Sequence, residues 1–372
     1  MCPCGQGTGR AVSGWPWTWT RPAQGETERP PWTVGGIVRR MPLPERALID
    51  EIRRMAEARS RRRSARTRNS GNALIAGIGD DCAVLRPQAD RDLLVTTDFS
   101  LEGIHFRRDW HPAESVGHRC LARGFSDIAA MGGEPVAVFL SLALPHDLPQ
   151  SWVGRFVRSL ISLAEKHGAH LSGGDTAESP NGILADIVVV GAVPKGKAVL
   201  RSGARPGDRI FVSGELGGSA EAVVQMRARP EKKLNPRNYA RHFYPEPRIE
   251  LGRILRERGL ASAMIDTSDG LSTDLAHLCE ESSVGADLNV ALIPLARVGK
   301  PAREVGLELA LHGGEDYELL FTAPPGKRIP SQIGGVALTQ IGCVTRRPKI
   351  LANKANVAYE LQPHGWEHFR KK

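Results

Sequence analysis

The sequence predicts an α/β protein of two domains, and three observations carry that expectation. The chain has 372 residues, enough for two separate cores. After Asn72 short apolar runs alternate with segments of helical periodicity. A polar, turn-rich stretch, "RSGARPGDR" at 201–209, separates two such cycles. The expected division is an extension over 1–41, an N-terminal domain over 42–200 and a C-terminal α/β domain over 201–372.

The elements follow in order. Residues 1–41 are rich in Pro, Gly, Trp and Thr without periodicity, and read as a disordered extension that lacks the apolar core of a secretory signal. "PERALIDEIRRMAEA" puts Leu48, Ile49, Ile52, Met55 and Ala56 on one helical face. The arginine run after it reads as a solvated loop, with phosphate binding as the alternative. "ALIAGIG", "DLLVTTD", "VAVFLSLAL", "IVVVGAV" and "DRIFVSG" read as strands. "PAESVGHRCLARGFSDIAAMG" and "SWVGRFVRSLISLAEKHG" read as helices closed by glycine. The second cycle runs from "GGSAEAVVQMRA" through "PEPRIELGRILRERG" and "TSDGLSTDLAHLCEESS" to a strand-like "YELLFTAP".

Bulk properties exclude several classes. Net charge is +9, but residues 1–70 hold 14 Arg and 6 acids, a net of +8. The remainder is close to neutral, so a nucleic-acid partner is not expected, except as a rival reading through Arg53–Arg68. The 6 cysteines are scattered and complete no zinc spacing, which fits a reducing, cytoplasmic compartment. No apolar run is long enough to span a bilayer.

The chemistry sits in recurring aspartates. "GIGDDCAVL" at 77–85 sets two side by side, and two carboxylates about 4 Å apart repel by roughly 4 kcal/mol at an effective dielectric near 20. Asp98 ends "LLVTTD", Asp127 lies in "FSDIAAMGG", Asp175 in "SGGDT", Asp266 and Asp269 in "IDTSDGLSTD", and Glu315 in "HGGEDYELL". Each sits beside Gly, Ser or Thr next to an apolar run, where an element meets a loop. A single Asp of this kind is ordinarily a cap or turn residue, and Asp274 and Asp316 are read that way. As a set, acids that converge require divalent cations, and magnesium takes a few carboxylates plus substrate phosphates. A phosphate loop is missing: "GAVPKGKA" ends on Ala198 rather than a hydroxyl, and no helix pattern follows. "SGELGGSAEAV" runs strand, glycines, helix, and reads as close packing.

"GIGDDCAVL", "TTDFSLEGIHF", "SDIAAMGGEP", "SGGDT", "LRSGARPGD", "IDTSDGL" and "GGEDYELLF" occur here in order, with a terminal "GWEHF". From about Pro42 onward the chain resembles thiamine-monophosphate kinase, of the group containing aminoimidazole-ribonucleotide synthetase and selenophosphate synthetase. The resemblance implies two α/β domains, with N-terminal strands completing a barrel across a homodimer. It implies direct, Mg²⁺-dependent transfer from ATP to thiamine monophosphate, giving thiamine diphosphate. Carried over, the metal ligands are Asp81, Thr96, Thr97, Asp98, Asp127, Asp175, Asp266 and Asp269. ATP contacts are Gly174, Asp175, Arg201 and Ser268. His105, Glu315 and Trp366 meet the substrate, and Asp98, Asp127 and Arg201 carry the catalytic burden. Three departures stand out: Gly124 where asparagine is common, Arg119 where lysine is common, and a longer arginine-rich insert before "GIGDD".

The acceptor phosphate is already ionised, so no strong general base is needed, and the obstacle is bringing two polyanions together. Trp366 is expected to stack on a thiamine ring. The rivals are another ATP-using synthetase of the same group and the nucleic-acid reading above. Selenophosphate synthetase would need a reactive Cys in a glycine-rich loop, whereas Cys82 reads as a small buried residue.

Overall fold

The computed structural model describes residues 43, 45–64, 74–76, 84–354 and 357–366. The extension at 1–41, the double aspartate containing Asp81, and Cys82 lie outside the described residues. The described residues all belong to one compact unit. Its helices are α1 (Glu45–Ser64), α2 (Ala113–Ala130), α3 (Gln150–Lys166), α4 (Gly218–Ala228), α5 (Ala240–Phe243), α6 (Ile249–Glu257), α7 (Leu271–Glu281) and α8 (Leu307–His312). α1 runs on to Ser64, into the arginine stretch read as a loop, because arginine is a good helix former. Within it Arg53 pairs with Glu57 one turn on.

A short pair, β1 (Leu74–Ala76) and β2 (Val84–Leu85), precedes the first large sheet. That sheet comprises β3 (Arg91–Leu101), β4 (Glu134–Pro145), β5 (His170–Ser179) and β6 (Leu184–Pro194), ordered β3-β6-β4-β5. Only β4 and β5 are parallel, and α3 makes the crossover between them. One face packs on the helices. The other leaves Leu93, Val95 and Phe99 of β3 exposed at 47%, 67% and 52%. These alternate with Leu94, Thr96, Asp98 and Ser100, which point to the helical side, as the strand period of two requires.

The second sheet is built from β7 (Arg209–Ser213), β8 (Ala263–Asp266) and β9 (Gly285–Asn289). A hairpin of β10 (Arg297–Val298) and β11 (Arg303–Glu304) stands apart from it. β12 (Leu319–Ala323), β13 (Gln332–Ile333), β14 (Val336–Thr345), β15 (Ile350–Lys354) and β16 (Val357–Glu360) complete the sheet. Its order is β16-β15-β9-β14-β7-β12-β8, with β13 on β14. β8 and β12 are buried at every position, so they do not alternate, and apart from Asp266 and Thr322 they are apolar throughout.

The helix α2 joins the two halves. Fourteen of its 18 residues are buried, the signature of a helix enclosed on all sides. Two glycines allow the close approach. A Cβ at Gly117 would drive into the Phe156 carbonyl of α3, and one at Gly252 of α6 into the Ala129 carbonyl of α2. Gly124 lies within the same regular helix, where a Cβ would come 2.8 Å from Val189 Cγ2 of β6. Its departure from asparagine therefore serves packing against the sheet.

Gly252→Ala is expected to push α6 off α2 and cost about 2–4 kcal/mol. Urea unfolding of the variant and the parent measures it.

Candidate active site

Four side chains on one stripe of α2 organise the site: Arg119, Arg123, Ser126 and Asp127, spaced four, three and one apart. β3 faces them with Thr96 and Asp98. The Thr96 hydroxyl donates to Asp127 Oδ2 at 2.5 Å, and Arg123 Nη2 lies 2.7 Å from Asp98 Oδ1. β8 ends on Asp266, whose Oδ2 accepts from Ser126 Oγ at 2.6 Å. Three carboxylates from three elements are thus held around the α2 stripe.

Their electrostatics are unfavourable for anions. Burial raises the Asp98 pKa, with Arg123 opposing. Burial also raises Asp127; the Thr96 hydrogen bond opposes and the Asp98 charge adds. Asp266 is 2% exposed, and burial together with Asp127 pushes it up to about 7. Arg201 acts on both Asp127 and Asp266, but it does not restore either to the ordinary carboxylate range. It sits on a 3₁₀ turn (Arg201–Gly203) pinned to β8 by the bond from Met264 N to Leu200 O. The donor set is all oxygen: three under-neutralised carboxylates and a hydroxyl. Such a set suits a hard divalent cation such as Mg²⁺.

The segment 267–270 forms the floor beside these acids. Its carbonyls at Thr267, Ser268 and Asp269 accept from the peptide nitrogens of Tyr317, Glu315 and Trp366 at 2.9, 2.7 and 3.0 Å. Glu315 and Tyr317 reach this arrangement with φ of 66° and 52°, the left-handed region, at about 1–3 kcal/mol each. Strain of this kind clusters at working sites. Asp274 Oδ2 accepts from the nitrogens of Asp269 and Gly270, so it fixes the same loop from beneath, the structural role its sequence context suggests. Asp269, Asp274 and His277 bring one ligand atom each within 4.8 Å of one another.

The acids of "EDYE" diverge. Glu315 accepts from Arg119 Nη2 at 2.7 Å; burial works against its ionisation, but Arg119 and Arg123 outweigh it and hold the pKa below its ordinary value. Asp316 accepts from the nitrogens of Gly217 and Ser219 at the start of α4. The glycine run "SGELGGSAEAV" therefore already holds an internal carboxylate where an anion would bind. Glu318, 1% exposed, takes Ser213 Oγ, Arg248 Nε and Arg241 Nη1 at 2.6, 2.7 and 3.1 Å.

The remaining candidates take separate positions. His105 Nδ1 accepts from Leu101 N at 2.9 Å and closes the turn after β3. With Ser100, Phe106, Val116, Arg119 and Arg123 it lines a small cleft. Trp366 is 44% exposed beside the 267–270 floor. Thr97 points to the opposite face of β3 from Asp98 and donates to Asp186 Oδ1 at 2.8 Å. Gly174 and Asp175 lie on β5, across the sheet from β3. Asp98 pairs with Ile187, Ile187 with Leu140, and Leu140 with Gly174. Three strand spacings put them roughly 14 Å along the sheet from Asp98. Gly174 has φ 147°, and a Cβ there would drive into the Leu140 carbonyl. Asp175 Oδ1 takes the Thr176 nitrogen at 2.8 Å.

Sequence reasoning missed Arg123 and Asp186, and assigned no role to Arg119. Asp186 had a signal, an acid inside the apolar run "ILADIVVVGAV". Arg123 and Arg119 stand four and eight residues before Asp127, on the same helical stripe.

Comparisons with known proteins identify the family. Residues 79–193 match the family model of the AIR synthase related protein N-terminal domain, and 205–350 that of its C-terminal domain. The thiamine-monophosphate kinase of Escherichia coli K12 is 40% identical over 291 residues, covering 75% of this chain and 87% of that protein. The solved thiamine-monophosphate kinase of Stenotrophomonas maltophilia K279a superposes with a TM-score of 0.70 at 32% identity, covering 80% of this chain and 96% of that one. AaThiL, solved in complex with AMPPCP and TMP, superposes with 0.67 at 30% identity, covering 84% and 96%. By sequence over most of its length and by fold, the chain belongs to the thiamine-monophosphate kinase family.

Proposed function

We propose that this chain phosphorylates thiamine monophosphate with ATP in one direct, in-line step assisted by divalent cations. An oxygen of the acceptor phosphate forms the new bond to the γ-phosphorus. The bond to the β–γ bridging oxygen breaks, and ADP leaves with that electron pair. Family membership supports the donor and acceptor. The observation that carries the mechanism is the set of Asp98, Asp127 and Asp266 around the α2 stripe, each short of compensating charge.

Asp98, Asp127 and Asp266, with the Thr96 hydroxyl, would hold the cations, which supply charge neutralisation between the two phosphate chains. Thr96 and Ser126 orient the Asp127 and Asp266 carboxylates, and Arg123 orients Asp98. Arg201 adds a fixed positive charge on the C-terminal side of the acids. Gly174, Asp175 and Ser268 are assigned to ATP, and Asp81, Thr97, Asp175 and Asp269 to further metal contacts. His105, Glu315 and Trp366 are assigned to the thiamine part, where the Glu315 carboxylate accepts from a ring amine and the Trp366 indole stacks. Residues 42–200 then serve as the ATP-binding and dimerisation domain, and 201–372 as the domain that closes over the acceptor.

The exposed β3 face supports a homodimer. Leu93, Val95 and Phe99 form an apolar row on an open sheet, and a second copy laid against it would complete a barrel. No described helix is long and apolar enough to cross a membrane.

Asp98→Asn is expected to lower turnover by about a hundredfold or more while the circular dichroism spectrum stays native, assayed as thiamine diphosphate formed from ATP, Mg²⁺ and thiamine monophosphate. Normal turnover in that variant would sink the metal assignment, and a different phosphorylated product would favour a sister synthetase. Stability should depend on pH in a definite sense. Asp98, Asp127 and Asp266 bind protons more tightly folded than unfolded. Their contribution is therefore intact below about pH 4 and is lost as pH rises towards about 7, the folded value of Asp266. Asp274 and Asp316 are raised too and add in the same direction. His111 and His242, whose pKa values are lowered, act in the opposite sense between about pH 4 and 6.5, so the fall is read as the difference in thermal unfolding between the parent and Asp266→Asn in EDTA, and Mg²⁺ should stabilise the parent more at pH 8 than at pH 5. Val95→Glu is expected to give a monomer by light scattering, where the parent is a dimer.

A further inference from the structure

The Arg119 side chain belongs to none of the assigned contacts, yet it touches both halves of the acceptor pocket. It is 4% exposed. Nη2 donates to Glu315 at 2.7 Å and to the His105 carbonyl at 3.4 Å. Nη1 donates to the His242 carbonyl at 2.5 Å and reaches His242 Nδ1 at 3.0 Å. A guanidinium only donates, so Nδ1 of His242 must accept, and the ring proton sits on Nε2. That proton points at His111 Nε2, 2.9 Å away, which must then accept. His111 Nδ1 then donates to the Arg107 carbonyl at 3.1 Å; in the other tautomer the same atom accepts from the Arg107 nitrogen at 3.2 Å, so the ring holds that backbone either way. Both histidines have lowered pKa values through burial first and the Arg119 charge second, as a neutral relay requires.

One guanidinium therefore holds the loop after β3 at two points, His105 and Arg107, and the strained Glu315 turn at a third. The two anchors come from opposite ends of the chain, 210 residues apart. We propose that Arg119 is the positioning residue of the thiamine pocket: it fixes Glu315 and the His105 loop relative to each other, and so sets recognition of the cationic, amine-bearing acceptor rather than of ATP. This rests on the assignment of Glu315 and His105 to the acceptor.

Steady-state kinetics on Arg119→Met, Arg119→Lys and Glu315→Gln test it. Arg119→Met should raise KM for thiamine monophosphate by about 30-fold, with KM for ATP changed by less than about twofold. Arg119→Lys, whose ammonium can still pair with Glu315, should return most of that loss, and Arg119→Met with Glu315→Gln should be no worse than the stronger single variant. If Arg119→Met fails to fold, His242→Leu, which removes the ring acceptor of Arg119 together with the ring contacts to His111 and Ser219 and keeps the His242 carbonyl, should still raise that KM several-fold. An unchanged KM for thiamine monophosphate, an equal rise for ATP, or no recovery with lysine overturns the proposal. If Glu315→Gln itself binds the acceptor normally, the underlying assignment fails instead.

Discussion

Mutual repulsion among Asp98, Asp127 and Asp266 is the constraint around which the molecule is arranged. Each arrives from a different element, so the chain spends backbone geometry, hydroxyl donors and two arginines to keep them adjacent. The helix α2 is the common reference. It lies against the sheet, α3 and α6 at distances only glycine permits, and its polar stripe receives β3 on one side and β8 on the other. Displacement of this helix would separate the acids from each other and Arg119 from Glu315 together.

The division of labour along α2 is plain in its spacing. Asp127 and Ser126 serve the acidic end of the site, and Arg123 and Arg119, one and two turns earlier, serve Asp98 and Glu315. The acid cluster and the arginine that anchors Glu315 are therefore carried by one rigid element, a more exact support than a loop would give. The other support is the 267–270 segment, onto which both the Glu315 turn and the Trp366 tail are hydrogen-bonded.

Much of this was legible beforehand because strong periodicity survives in single sequences. The α2 and α3 helices and the strands β3, β4 and β6 fall where their apolar patterns place them, and the family motifs name the acids. What could not be read was partnership. Nothing local marks Arg119 as the partner of a residue 196 positions away, since that contact exists only after both domains have packed. The face of β3 on which Thr97 falls follows from strand alternation, but its partner Asp186 comes from another strand. The extent of α1 was underestimated because an arginine-rich run reads as solvated coil, although arginine favours helix.

The short acidic run at 315–318 has a further meaning. Three acidic side chains within four residues leave in three directions, to a helix stripe, to the amides opening α4 and to an arginine pair. The two left-handed residues make that fan possible by turning the chain between them. A slip of a single position would set every one of those charges against the wrong neighbour. Charge thus proofreads the alignment of β12 and its preceding turn, independently of any apolar packing, and ties correct threading of the C-terminal sheet to the joining of Glu315 to α2.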